Sequence, residues 1–97
     1  MRVISRKWLN ELARSHPDAT AGLDAWFHEA EAADWSNPAQ VKAQYATASV
    51  LRNGRVVFNI GGNKYRLVVK INYAYRVVYI RFAGTHSGYD RIDAEEI

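Results

Sequence analysis

The sequence predicts an α+β fold in which N-terminal helices pack on one face of a small antiparallel β-sheet. Two observations carry that expectation. Through the first half of the chain apolar side chains recur every three or four residues, whereas from Val50 onward they alternate and β-branched residues accumulate. A third observation bounds the size: 97 residues, 48% hydrophobic and 24% charged, suit a single domain spanning 1–97.

Met1 to Ser5 reads as a short strand, with Ser5 capping a first helix that carries Trp8, Leu9, Leu12 and Ala13 up to about His16. Pro17 ends it. A second helix begins near Asp18, where Leu23, Trp26, Phe27 and Ala30 form an i, i+3, i+4, i+7 stripe suited to packing on a sheet. Ser36-Asn37-Pro38 opens a short third helix through Val41 and Tyr45, with serine or asparagine as cap and proline pre-set at the first helical position. Asn53-Gly54 is the strongest hairpin signal, joining a strand near Val50 to Arg55–Ile60. Gly61-Gly62-Asn63 then turns the chain into Lys64–Asn72, and Tyr73 to Arg76 turn it into Val77–Ala83. Gly84 and Gly88 bracket a loop, after which the acidic tail is expected to add a short helix or strand.

Strand alternation sorts these residues into two faces. Val56, Phe58, Ile60, Tyr65, Leu67, Val69, Ile71, Val78, Ile80 and Phe82 share the face that receives the helices. Arg55, Val57, Asn59, Lys64, Arg66, Val68, Lys70, Val77, Tyr79, Arg81 and Ala83 share the other, which is basic and expected to be open.

Net charge is +3, but its placement is uneven. No aspartate or glutamate lies between Asp34 and Asp90, while Lys42, Arg52, Arg55, Lys64, Arg66, Lys70, Arg76 and Arg81 all do. Tyrosines interleave with them, a combination that suits phosphate neutralisation with base stacking. A merely solvated basic face would carry the same charges.

Other chemistries lack their residues. The absence of cysteine removes disulfides, a zinc ribbon and a thiol nucleophile. No histidine or carboxylate spacing suggests a metal site, and no cofactor is expected. Gly61-Gly62-Asn63-Lys64 runs into a strand, not a helix, so it reads as a turn and not a phosphate loop. There is no Gly-x-Ser-x-Gly elbow, and the presumptive cleft has no pair of acids for glycoside hydrolysis. No apolar run approaches a membrane span, which favours a cytoplasmic protein. What remains is Gly84-Thr85-His86-Ser87-Gly88-Tyr89-Asp90, which places His86 and Tyr89 at the end of the basic face. Histidine exchanges protons near neutrality and arginines stabilise phosphate charge, so the parts of an RNA-cleaving site are present. A lone loop histidine also serves as a surface or capping residue.

Val57-Phe58-Asn59-Ile60-Gly61-Gly62-Asn63 followed by Arg66, then Val78-Tyr79-Ile80-Arg81, then Thr85-His86 with Tyr89-Asp90, resemble the HigB toxins of bacterial toxin–antitoxin modules. These are relatives of the RelE-type messenger-RNA interferases. The resemblance spans nearly the whole chain, the opening Met1-Arg2-Val3-Ile4-Ser5 and Pro38 before Val41-Lys42 agreeing more loosely. It implies a RelE-like fold and metal-independent, ribosome-dependent cleavage of messenger RNA, with the RNA 2′-hydroxyl as nucleophile. It further implies a HigA-like helix-turn-helix antitoxin as partner, with operator DNA contacted only through the toxin–antitoxin complex. Carried to matching positions, Arg66 and Arg81 bind phosphate and stabilise the transition state. His86 and Tyr89 act as acid–base or base-positioning groups. Asn63 and Asp90 match as structural residues, one shaping the turn and the other capping or orienting the terminal segment. Arg55, Lys64, Lys70 and Tyr79 come from strand alternation and line an expected RNA path. Two other readings use the same face: a non-catalytic module that binds RNA or a ribosomal surface, and a partner domain that binds an acidic protein.

Overall fold

Two periodicities become two layers in the computed structural model, which describes residues 1–97. The elements in chain order are β1 (Arg2–Ile4), α1 (Lys7–Ser15), a 3-10 turn (Pro17–Ala19), α2 (Thr20–Ala32), α3 (Pro38–Gln44), β2 (Ser49–Val50), β3 (Arg55–Ile60), β4 (Tyr65–Asn72), β5 (Val77–Thr85) and α4 (His86–Tyr89). The stripe Leu23, Trp26, Phe27 and Ala30 is buried, as its spacing predicts. It meets Val56, Phe58, Leu67, Val69, Val78 and Ile80 of the sheet in the main core. Phe58 is a focus of that core: Trp26 meets it edge-on at 5.4 Å, Trp35 stacks on it at 6.3 Å and Tyr45 approaches at 5.0 Å. No helix is long and apolar enough to cross a membrane.

Sheet order is β1-β5-β4-β3-β2. Pairings among β2, β3, β4 and β5 are antiparallel, but β1 lies parallel to β5, so the sheet is mixed where a wholly antiparallel one was expected. The reason is the crossover: the chain leaves β1, builds the helical layer and the meander, and returns alongside its own start. Ser5 takes φ +71 in the turn out of β1, and α1 then begins at Lys7 with no side-chain cap. Ser5 is therefore a turn residue and not the helix cap that its identity suggested. Asn37 does cap α3, its side chain accepting from the Gln40 N–H at 3.0 Å. Asn53 and Gly54 both have positive φ, and the Arg55 N–H closes their turn on the Arg52 carbonyl at 3.2 Å.

One irregularity re-sorts the faces. Val69 pairs with Ile80 and Val68 with Phe82, leaving Arg81 without a partner residue on β4. This bulge reverses the alternation beyond it. Ala83, expected on the basic face, is buried in the main core, while Phe82 joins a second cluster with Val57, Val68 and Ala94. That second cluster also corrects the idea of an open face. Leu51, Ile92, Ala94 and Ile97 cover Val57 and Val68, so the acidic tail folds over part of the basic face instead of adding a helix or strand.

Candidate active site

Three rows cross the second face of the sheet. Arg55, Lys70 and Tyr79 align across β3, β4 and β5; Val57, Val68 and Phe82 form the next row; Asn59, Arg66 and Gly84 form the third. The middle row is apolar and lies beneath the tail, which leaves cationic groups on both sides of it. Arg81 is exposed at the bulge between the first two rows, its guanidinium 5.8 Å from the centre of the Tyr79 ring. The extra residue lifts this side chain out of the regular pleat. Arg66, Lys70 and Arg81 form no salt bridge within the protein.

The presumed loop after Gly84 is in fact one helical turn. Thr85 starts α4 by accepting from the Gly88 N–H at 3.1 Å, and the His86 N–H donates to the Lys64 carbonyl at 3.1 Å. Together these bonds hold α4 against the beginning of β4. Tyr89 then lies with its ring centre 5.8 Å from the Arg66 guanidinium, and Arg66 also donates to the Asn63 carbonyl at 3.2 Å. His86 Nδ1 lies 3.1 Å from Asp90 Oδ2, one helical turn on. With Asp90 ionised, Nδ1 carries the proton and donates, which leaves Nε2 as the acceptor. Both side chains are about half exposed, at 48% and 59%, so a substrate has access to them. Tyr89 and Asp90 also line an open cleft of about 400 Å³ with Leu51, Ile92, Asp93, Ala94 and Glu95.

Arg66, His86, Tyr89 and Asp90 thus sit at one end of the basic face, with Asn63 in the turn beside Arg66, whereas Arg81 lies beside Tyr79 across the covered apolar row. Lys70 and Tyr79 lie two rows from Arg66, on the far side of the apolar row. Two expected RNA-path residues are otherwise employed. Arg55 donates through Nε and Nη2 to the Ile97 main-chain oxygen at 2.9 and 2.6 Å, so it anchors the tail. Lys64 precedes β4 and points toward the helical side, with Nζ 3.6 Å from Asp18. The last turn before a strand does not obey the strand's alternation, which is why Lys64 was misplaced. Sequence reading also missed Arg2, which joins the second face because parallel pairing sets it beside Val77. Its position depends on a pairing between chain segments some 75 residues apart, for which local pattern carries no signal.

Residues 19–92 match the family described as HigB toxin, RelE-like toxic component of a toxin–antitoxin system. The mRNA interferase HigB of Escherichia coli O6:H1 (strain CFT073) is 24% identical over 94 residues, covering 95% of this chain and 91% of that protein. The mRNA interferase toxin HigB of Escherichia coli K12 is 28% identical over 92 residues, covering 93% and 88% respectively. The mRNA interferase HigB of Shigella flexneri is similar to the same degree. A match over most of the chain, on a fold whose helices pack against one sheet face, shows that the chain belongs to the HigB toxin family.

Proposed function

We propose that this chain is the toxin of a toxin–antitoxin pair and acts as an mRNA interferase, cutting messages on the ribosome. The observation that carries the proposal is a carboxylate-oriented histidine on the same helical turn as Tyr89, whose ring lies beside Arg66, an arginine with no salt-bridge partner, at the end of a face that also carries Arg81. His86 Nε2 accepts the proton of the 2′-hydroxyl next to the scissile phosphate. The 2′-oxygen then bonds to phosphorus and the bond to the 5′-oxygen breaks, leaving a 2′,3′-cyclic phosphate and a 5′-hydroxyl that takes a proton from solvent. Arg66 and Arg81 hold the phosphate and stabilise the charge that grows on it. Tyr89, held beside Arg66, stacks a neighbouring base. Lys70 and Tyr79 extend the path along the sheet. These groups supply proton transfer and charge stabilisation, and the reaction is proposed to need no metal. The partner is an antitoxin of the HigA-like helix-turn-helix kind, and operator DNA is met only in its complex.

The test is message cutting in a translating extract, comparing the wild-type protein with Arg81→Ala/His86→Ala. The proposal expects ends bearing cyclic phosphate from the wild type and none above background from a folded, antitoxin-binding double variant. Equal cutting by that variant would place the chemistry elsewhere. Salt-sensitive ribosome binding without cut ends would favour the binding module, and affinity for the antitoxin alone would favour the partner domain.

A further inference from the structure

The residue that ties the helical layer to the candidate site is Asp18, in the 3-10 turn between α1 and α2. Its two carboxylate oxygens accept from the Tyr65 hydroxyl, at 2.7 and 2.8 Å, and Lys64 Nζ lies 3.6 Å away. Lys64 and Tyr65 are the two residues that hold the start of α4. The Lys64 carbonyl accepts the His86 N–H, and Tyr65 pairs across the sheet with Thr85, the cap of α4. The His16 ring, just before the 3-10 turn, packs 5.5 Å from the Tyr65 ring and closes the connection from the other side. Asp18 touches none of Arg66, Arg81, His86 or Tyr89 directly.

We infer that Asp18 is a positioning residue: by fixing Lys64 and Tyr65 it sets the placement of the one-turn helix that carries His86 and Tyr89. The logic follows from the shortness of α4. Four residues cannot hold a helical turn by their own hydrogen bonds, so its geometry is borrowed from β4, and the first residues of β4 follow a glycine-rich turn. Gly61 and Gly62 both have positive φ and leave that turn little intrinsic stiffness. A fixed carboxylate in the helical layer supplies the missing restraint. The inference deepens the nuclease reading in its effect on cutting, but its effect on α4 stands without that reading.

The test compares Asp18→Ala, Asp18→Asn and Tyr65→Phe with Glu29→Ala, which removes a similar tyrosine–carboxylate bond, Tyr45 to Glu29 at 2.5 Å, remote from α4. Two readouts are taken under conditions where every variant is folded: hydrogen exchange at the His86 amide, and kcat and KM for message cutting. Asp18→Ala is expected to speed His86 exchange about 10-fold beyond Glu29→Ala. It is also expected to lower kcat about 10-fold or more with little change in KM, as misplacement of a reacting group does. Asp18→Asn keeps an acceptor for Tyr65 and should recover part of both effects. If Asp18→Ala fails to fold, Tyr65→Phe, which keeps the ring and removes only the hydroxyl, decides. His86 exchange no faster than in Glu29→Ala would overturn the inference. Faster exchange in a protein that cuts no message even as wild type would uphold the positioning role while refuting the nuclease.

Discussion

The chemistry proposed for the site rests on single contacts, each removable by one substitution. Asp90→Asn keeps the shape beside His86 but withdraws the negative charge that favours Nδ1–H, so the ring loses its preferred tautomer. Message cutting is expected to fall about 100-fold with the melting temperature nearly unchanged, and an initial-rate comparison checks it. Arg66→Lys keeps the charge but loses the planar fork that grips phosphate and lies beside Tyr89. It should therefore cut more slowly than wild type at saturating message. The Asp18–Tyr65 bond makes a pH prediction. It holds the Asp18 carboxyl below its usual 3.8 and the Tyr65 hydroxyl above its usual 10.0. A depressed carboxyl contributes stability above 3.8 that is lost as pH falls through its folded value. A raised hydroxyl contributes stability below 10.0 that is lost as pH rises through its folded value. Denaturation of wild type and Asp18→Asn across pH should thus show the largest gap between these limits, narrowing toward acid. A gap constant down to pH 2 would contradict the assignment.

At the scale of elements, turn chemistry and face sorting were legible and long-range pairing was not. Asn53-Gly54 announces its hairpin because two consecutive positive φ angles demand such residues. Gly54 is constrained twice, since a Cβ there would lie 2.8 Å from the Ile71 carbonyl oxygen. Gly54→Ala is expected to cost about 1–3 kcal/mol, measurable by denaturant unfolding, without altering residues of the site. Val56, Phe58, Leu67, Val69, Val78 and Ile80 also fall where alternation places them. Alternation fails beyond Arg81 because a bulge adds one residue without changing composition, so Phe82 and Ala83 exchange faces. The grouping of Arg66, His86 and Tyr89 was legible from motif and strand order. The Asp18 contact was not, since it joins residues 47 positions apart across two layers.

Taken whole, the molecule separates its charges by layer and then closes part of its basic face with its own tail. Arg55, expected on the RNA path, binds the Ile97 main-chain oxygen, and Arg52 pairs with Glu95 at 3.2 Å, so both cations hold the cover over Val57 and Val68. Arg66, Lys70 and Arg81 form no salt bridge and are the cations proposed to meet phosphate. Affinity for RNA or ribosomes should therefore fall with salt, and Lys70→Ala should lower the slope of log affinity against log salt by about 0.7–1. Arg52→Ala, by contrast, should leave that slope nearly unchanged. The central claim, that Arg81 and His86 belong to an active site that cuts translated messages, is tested most directly by mapping RNA 5′ ends in cells minutes after induction. Wild type beside Arg81→Ala/His86→Ala should show new ends within translated messages only for the wild type. Arrested growth with no new ends, or the same ends from the double variant, would contradict it.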